Sequence, residues 1–180
     1  MKSKNELGEL IRAVHFAADK HRMQRRKDVE ASPYINHPIA VAHLLSEEGG
    51  VSDLITLQAA ILHDTIEDTN TSHDELVRSF GRDVADVVLE VTDDKSIPDR
   101  VERKRLQLVN APKKSARAAL VKLADKTCNL RDIRATPPAN WSLERKREYF
   151  EWAKKVVDAL PAVSAPMLMA FNASFELALE

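Results

Sequence analysis

Residues 52–68 read SDLITLQAAILHDTIED and join a long apolar run to a cluster of imidazole and carboxylate side chains. The middle of this stretch is apolar nearly all round, which predicts a helix that lies deep in the fold. Ser52 is a residue type that caps the start of a helix. Because His63 and Asp64 follow the apolar run directly, we expect the polar end of this helix to emerge from the core.

Helical periodicity continues on both sides of this stretch. One helix is predicted to end near His21, and a polar, basic loop separates it from a second helix that begins at Pro38. Ser72 has capping-box spacing to Glu75, and Gly81 fits a helix stop. Further helices are predicted over residues 82–93, 98–110, 115–134, 142–159 and 162–179. We therefore expect one all-α domain, a bundle of about eight to ten helices over residues 1–180.

The composition narrows the class of function. The 27 Lys and Arg residues nearly balance the 28 Asp and Glu residues, so the net charge of −1 gives no general attraction to nucleic acid or to anionic lipid. One cysteine cannot form an internal disulfide, and no stretch has the length of a membrane span or a signal peptide. We expect a protein of the reducing cytoplasm with no nucleic-acid or membrane partner.

His63 and Asp64 are expensive to bury unless a partner satisfies them, and a metal ion is one such partner. Glu67 and Asp68 come four residues later, so on a continuous helix each lies one turn beyond one of the first pair. This spacing leaves room for a water molecule between metal ligands and a general base. A solvated helix end with acids paired to Lys or Arg is the alternative interpretation.

Two more side chains can complete a metal site. His37 precedes Pro38, so its backbone is expected to be extended at a helix entrance. Asp125 follows the apolar residues VKLA in the segment AALVKLADKTCNLRDI. Taken singly, His37 fits a surface residue and Asp125 a salt-bridge partner. Together with His63 and Asp64 they form a set of two imidazoles and two carboxylates, which suits a divalent ion with open coordination positions.

A run of three basic residues, Arg25, Arg26 and Lys27, lies in the loop before His37. It can hold the phosphates of a substrate, and a guanidinium can stack on a purine. The alternative is a solvated loop without a ligand. Asn129 follows Asp125 by four residues and therefore faces the same side of its helix.

The order of these residues resembles a known family. H…HD…D is the signature of HD-domain metal phosphohydrolases. The strings PYINHPIAVAHLL, LQAAILHDTIEDT and VKLADKTCNLRDI resemble the hydrolase domain of RelA/SpoT proteins, together with HRMQRRKD, VTDDKSIPDRVERKRLQ and EYFEWA. The similarity covers about residues 5–160 and is greatest to the stand-alone small alarmone hydrolases, the metazoan SpoT-like branch.

This resemblance implies hydrolysis of guanosine tetra- or pentaphosphate, (p)ppGpp, at the 3′ position, with release of pyrophosphate and GDP or GTP. The matching positions imply that His37, His63, Asp64 and Asp125 bind the metal, usually Mn²⁺. Glu67 and Asp68 match the pair that orients and deprotonates the attacking water. Substrate contacts are implied for Arg26, Lys27, Asn129, Arg145 and Tyr149; the register around Arg100 differs by one residue from the family pattern.

Two other functions remain open at this point. A phosphatase that removes the 2′-phosphate of NADPH would use the same metal site with a different pocket shape. A nucleotide-sensing module would keep the fold without catalysis, although it would have no need for the Glu67 and Asp68 pair. The oligomeric state is not predicted, and the helix over residues 162–179 can either complete the core or face a partner subunit.

Overall fold

The computed structural model describes residues 5–179, apart from the side chain of the last of these. The regular secondary structure of the described residues is entirely helical. Their only β-type pairing is an isolated bridge between Arg25 and Pro33. The α-helices are α1 (Glu6–Lys20), α2 (Asn36–Glu47), α3 (Leu54–Leu62), α4 (Thr65–Asp68), α5 (His73–Phe80), α6 (Arg82–Val91), α7 (Arg100–Asn110), α8 (Ala116–Ala135), α9 (Leu143–Ala159) and α10 (Ala165–Leu179). The expected all-α fold is confirmed.

The core forms around α3 and α8. Ala59, Ala60 and Leu62 of α3 are completely buried, as the apolar sequence of this helix predicts. Helix α8 is buried along most of its length because α2, α3, α6, α9 and α10 pack against it. Among the described residues, no helix combines the length and the apolar character that crossing a membrane requires.

Helix α10 completes this core. It packs mainly on α8, and the side chains of Met167 and Phe171 are fully buried. Of the two roles considered for this segment, a core helix and a subunit contact, the structure shows the first for its inner face.

Polar side chains begin several helices at the expected places. The Ser72 hydroxyl accepts a hydrogen bond from the backbone N–H of Glu75 at 3.2 Å, which starts α5. Gly81 ends α5 with φ of 91°, a conformation that glycine adopts without steric cost. Helix α3 is capped one residue later than expected, by the Asp53 carboxylate, which accepts from the N–H of Thr56 at 3.1 Å.

The helix predicted over residues 52–68 is interrupted. Helix α3 ends at Leu62 and α4 begins at Thr65, with His63 and Asp64 in a turn between them. The Thr65 hydroxyl donates to the carbonyl of Leu62 at 2.7 Å, and His63 Nδ1 lies 2.8 Å from the carbonyl of Ala60. These side chains satisfy carbonyls at the end of α3, so the backbone can turn without leaving them bare.

Two predictions for the start of α2 are wrong. Pro38 is the third residue of α2 and not the first, and His37 has a helical and not an extended backbone. The first turn forms because the N–H of His37 donates to the carbonyl of Tyr34 at 3.0 Å. A proline is tolerated there since the N–H groups of a first turn have no partner within the helix.

Candidate metal centre and acidic pair

Four predicted metal ligands meet where α2, the α3–α4 turn and α8 come together. His37 Nε2 lies 3.2 Å from Asp125 Oδ1, and His63 Nε2 lies 3.9 Å from the same oxygen. The ligand atoms of His37, His63 and Asp125 are all within 4.8 Å of one another. Asp64 joins them, because its Oδ2 lies 3.0 Å from His63 Nε2. The structure thus brings together side chains from three separate segments.

The hydrogen bonds of His63 fit the binding of a cation. Its Nδ1 faces the carbonyl of Ala60, which can only accept, so Nδ1 carries a hydrogen and Nε2 is the nitrogen that faces the carboxylates. Within the described residues, His63 Nε2 makes no hydrogen bond. A buried imidazole nitrogen beside carboxylate oxygens is stabilised by a positive charge, which a proton supplies in the absence of metal and a metal ion can supply in its place. The donor set therefore fits a divalent metal ion, held by a histidine whose other nitrogen is fixed by the backbone.

The charged groups of this centre shift one another's pKa values. Burial alone would lower the pKa of His63, but the carboxylates of Asp64 and then Asp125 outweigh it and raise this pKa to about 9. Burial opposes the ionisation of Asp125, yet Lys126 and His37 hold its pKa well below the ordinary value. The protein without metal consequently keeps a proton on His63 at neutral pH.

Three further side chains hold the ligands in place. The Tyr34 hydroxyl donates to Asp64 Oδ2 at 2.6 Å, and Asn129 Nδ2 donates to Asp125 Oδ1 at 2.6 Å. Buried Lys126 donates to Asp125 Oδ2 at 3.0 Å while its ammonium lies 4.8 Å from the centre of the Trp152 ring.

Sequence reasoning missed Tyr34 and Lys126. A charged residue within the apolar run of α8 is a signal that could have identified Lys126, because a buried ammonium needs an anionic partner. The position of Tyr34, one helical turn before His37, is a weaker signal.

The acidic pair lies at the edge of this centre. Glu67 Oε2 accepts a hydrogen bond from the backbone N–H of Asp93 at 3.1 Å. Burial raises the pKa of Glu67 to about 7, and the carboxylates of Asp93 and Asp64 add to this effect. Asp68 is held differently, since it accepts from Gln24 Nε2 at 2.8 Å and forms an ion pair with Lys95. The two carboxylates therefore have different surroundings, as a base and an orienting group need.

A cavity of about 590 Å³ opens beside the metal centre. His37 and Asp68 form part of its wall, so one ligand of the metal centre and one carboxylate of the acidic pair border this space. Four of the residues predicted to contact substrate also line this cavity: Arg26, Lys27, Asn129 and Tyr149. Arg26 is oriented by Asp132, whose carboxylate lies 2.6 Å from the guanidinium.

Arg145 lies outside this cavity. It lines a neighbouring cavity of about 330 Å³ together with Arg100 and Lys104, and its guanidinium lies 4.7 Å from the centre of the Trp141 ring. Trp141 and Tyr149 line both spaces and form the wall between them. The predicted substrate residues are thus divided between two adjoining pockets, both lined by basic side chains.

Comparison with known proteins identifies relatives of this chain. A model of the HD domain matches residues 13–151. The chain is 52% identical over 172 residues to the guanosine-3′,5′-bis(diphosphate) 3′-pyrophosphohydrolase of Homo sapiens, covering 96% of each chain. It is 56% identical over 151 residues to the protein of the same name from Xenopus tropicalis, covering 84% of each.

A solved structure gives the same result. A metazoan orthologue of SpoT, reported to hydrolyse ppGpp and to play a role in starvation responses, superimposes with a TM-score of 0.90 at 48% identity. The match covers 93% of this chain and 94% of the orthologue. The similarity therefore extends over nearly the whole of both proteins.

Proposed function

This chain belongs to the HD-domain family, and from that membership we propose that it is a guanosine-3′,5′-bis(diphosphate) 3′-pyrophosphohydrolase. The reaction converts ppGpp or pppGpp and water to GDP or GTP and pyrophosphate. The observation that carries the proposal is the approach of the ligand atoms of His37, His63 and Asp125 to within 4.8 Å of one another, with Asp64 Oδ2 3.0 Å from His63 Nε2.

His37, His63, Asp64 and Asp125 would hold one divalent ion, and we propose Mn²⁺. Two imidazoles with two carboxylates suit an ion that is harder than the usual partners of thiolates. When bound, such an ion would polarise a phosphoryl oxygen, make a nearby water more acidic and neutralise negative charge on the phosphoryl group under attack. Tyr34 and Lys126 support this role because they fix the orientation of Asp64 and Asp125.

Glu67 is proposed as the group that takes the proton from the attacking water. Its pKa of about 7 supports this role, because a base with that pKa is largely ionised just above neutrality and is still strong enough to accept a proton. The water oxygen bonds to phosphorus as the bond from phosphorus to the ribose 3′ oxygen breaks. The pyrophosphate carries the new oxygen, and the 3′ oxygen leaves with the nucleotide and takes up a proton to become a hydroxyl. Asp68, which accepts a hydrogen bond from Gln24 and forms an ion pair with Lys95, would orient the water.

Basic side chains around the two cavities are proposed to bind the phosphates. Arg26 and Lys27 border the space next to the metal centre, while Arg145 borders the second space. Tyr149 lies between them and can pack against the nucleoside, and Asn129 can donate or accept a hydrogen bond. A nucleotide with phosphates on both the 3′ and the 5′ side matches two adjoining basic pockets better than a singly phosphorylated one.

The setting proposed for this reaction is the cytoplasm, with a small nucleotide and no nucleic acid as the partner. The near-neutral charge of the chain supports the absence of a nucleic-acid partner, because it offers no general attraction to a polyanion. We also propose that residues 1–180 form a single HD domain, since the packing of α10 on α8 joins the end of the described chain to the core.

The test is to incubate the purified protein with Mn²⁺ and either guanosine 3′,5′-bispyrophosphate or NADPH, and to assay pyrophosphate against orthophosphate. We expect pyrophosphate and GDP from the first substrate, and the Glu67→Gln variant as a matched control should lose that activity. Orthophosphate from NADPH as the only efficient reaction would favour the phosphatase alternative. No product from either substrate would favour a nucleotide sensor.

A further inference from the structure

A hydrogen-bond chain that begins at a buried histidine reaches Asp68 of the acidic pair. His21, the residue that follows α1, is 1% exposed, and its Nδ1 lies 2.7 Å from Gln24 Oε1. Gln24 Nε2 donates to Asp68 Oδ2 at 2.8 Å. Gln24 thus connects a buried imidazole with the carboxylate proposed to orient the attacking water.

The direction of this chain follows from its chemistry. An ionised carboxylate only accepts hydrogen bonds, so Gln24 must present its NH₂ group to Asp68. The amide oxygen of Gln24 then faces His21, and the imidazole must carry its hydrogen on Nδ1. The N–H of His21 uses the Gln24 amide oxygen as its acceptor. If the Gln24 amide rotated to turn this oxygen toward Asp68, the hydrogen bonds to His21 and to Asp68 would both be lost, so His21 holds the amide in place.

His21 cannot act by touching the substrate. Its ring is buried and packs against Tyr34 with ring centres 4.9 Å apart, and it does not line the cavity beside the metal centre. Its Nε2 has no hydrogen-bond partner within the described residues. An unpaired buried nitrogen carries an energetic cost that a purely apolar residue at this place would avoid.

Asp68 has a second partner, Lys95, but this one constrains it less. The Lys95 side chain is 52% exposed, and its ammonium also lies 4.0 Å from Glu67 Oε1. An exposed, flexible ion pair fixes geometry weakly. The buried contact from His21 through Gln24 therefore gives the more specific control of the Asp68 carboxylate.

We propose that His21 is a positioning residue for the hydrolysis. By fixing the amide of Gln24 it holds Asp68 in the orientation that faces the attacking water, and it thereby affects turnover and not substrate affinity. This inference rests on the proposed function. Supporting partners that orient a reacting group commonly contribute a factor of about 10 to 100 in activity.

Two substitutions separate the hydrogen bond from the packing of the ring. His21→Phe keeps an aromatic ring against Tyr34 and removes the Nδ1 hydrogen. His21→Asn removes the ring and keeps an N–H donor close to the position of Nδ1. His15→Asn serves as the matched control, because His15 is an exposed histidine of α1, the helix that His21 follows.

We expect His21→Phe to lower kcat about tenfold, with KM and Mn²⁺ affinity within about twofold of the wild type. His21→Asn should recover most of this kcat, even if its melting temperature is lower than that of the Phe variant. The His15→Asn control should match the wild type in all three quantities.

Gln24→Met tests whether His21 acts through Gln24. Because both residues belong to one chain, the double variant His21→Phe with Gln24→Met should have the same kcat as Gln24→Met alone. Independent structural effects would instead multiply. Nitrogen NMR of the imidazole should also find the hydrogen of His21 on Nδ1.

The possible failures can be told apart. If the wild type releases no pyrophosphate from guanosine 3′,5′-bispyrophosphate, the proposed function fails and the positioning role fails with it. If the wild type is active, the positioning role alone is overturned by an unchanged kcat in His21→Phe, by equal losses in the Phe and Asn variants, or by a loss of Mn²⁺ affinity in place of kcat.

Discussion

Metal binding should release protons, and the number follows from the surroundings of His63. With a pKa of about 9, His63 is roughly 97% protonated at about pH 7.5 in the protein without metal. An imidazole must lose this proton to bind a metal, so each Mn²⁺ that binds should release about one proton from His63. Asp64 and Asp125 add none, because their pKa values lie well below the ordinary range.

Glu67 adds a smaller amount. With a pKa of about 7 it is roughly one quarter protonated at about pH 7.5, and a nearby cation favours its ionised form. The total release should therefore be about one proton per ion, most of it from His63. Below about pH 8, protons compete with the metal for His63. Mn²⁺ affinity should therefore rise roughly tenfold for each pH unit in this range.

Isothermal titration calorimetry in buffers of different ionisation enthalpy measures this release. The slope of the observed enthalpy against the buffer enthalpy gives the number of protons. The His73→Gln variant is the control, since His73 also contacts a carboxylate, that of Asp86 at 2.7 Å, but lies outside the metal centre. A slope near zero with tight Mn²⁺ binding to the wild type would refute the assignment of His63 as a ligand that is protonated before the metal binds.

Four other predictions concern single side chains. Asp64→Ala should abolish metal-dependent turnover with little loss of helix content by circular dichroism; full activity in metal-replete buffer would contradict its role as a ligand. Glu67→Gln should lower kcat about 10²- to 10⁴-fold while calorimetry finds Mn²⁺ affinity nearly unchanged, because Glu67 acts on water and not on the metal. The rate of the wild type should fall as the pH drops through the pKa of Glu67, about 7 before metal binds, and Asp93→Asn should move this decline to lower pH by removing a neighbouring negative charge; an unmoved pH profile would exclude that effect. Ala31 has φ of 50°, so Ala31→Gly should stabilise the protein by about 0.5–1 kcal/mol in denaturant unfolding, and a destabilised variant would contradict the inferred strain.

The sequence predicted the helical architecture because apolar periodicity is a local property. It did not predict the turn at His63 and Asp64, because that turn depends on side chains of His63 and Thr65 that bond to carbonyls of the preceding helix. The same segment has continuous helical periodicity, so its pattern alone cannot reveal the interruption. Despite this interruption, Asp64 Oδ2 lies 3.0 Å from His63 Nε2.

The chemical types of the metal ligands were also visible in the sequence, but their proximity was not. His37 and Asp125 come from α2 and α8, and only the packing of these helices around α3 brings their side chains to 3.2 Å. The separation of Arg145 from Arg26 has the same origin, since Trp141 and Tyr149 form a wall that depends on how α9 packs. The family resemblance identified these residues because related proteins share the packing that brings the same positions together.

Anomalous diffraction from a crystal grown with Mn²⁺ tests the central claim most directly. Data collected on both sides of the manganese absorption edge should show one strong peak bonded to His37, His63, Asp64 and Asp125, with Glu67 and Asp68 facing it across a water molecule. A peak bound elsewhere, or no peak between these four side chains in crystals of active enzyme, would contradict the account.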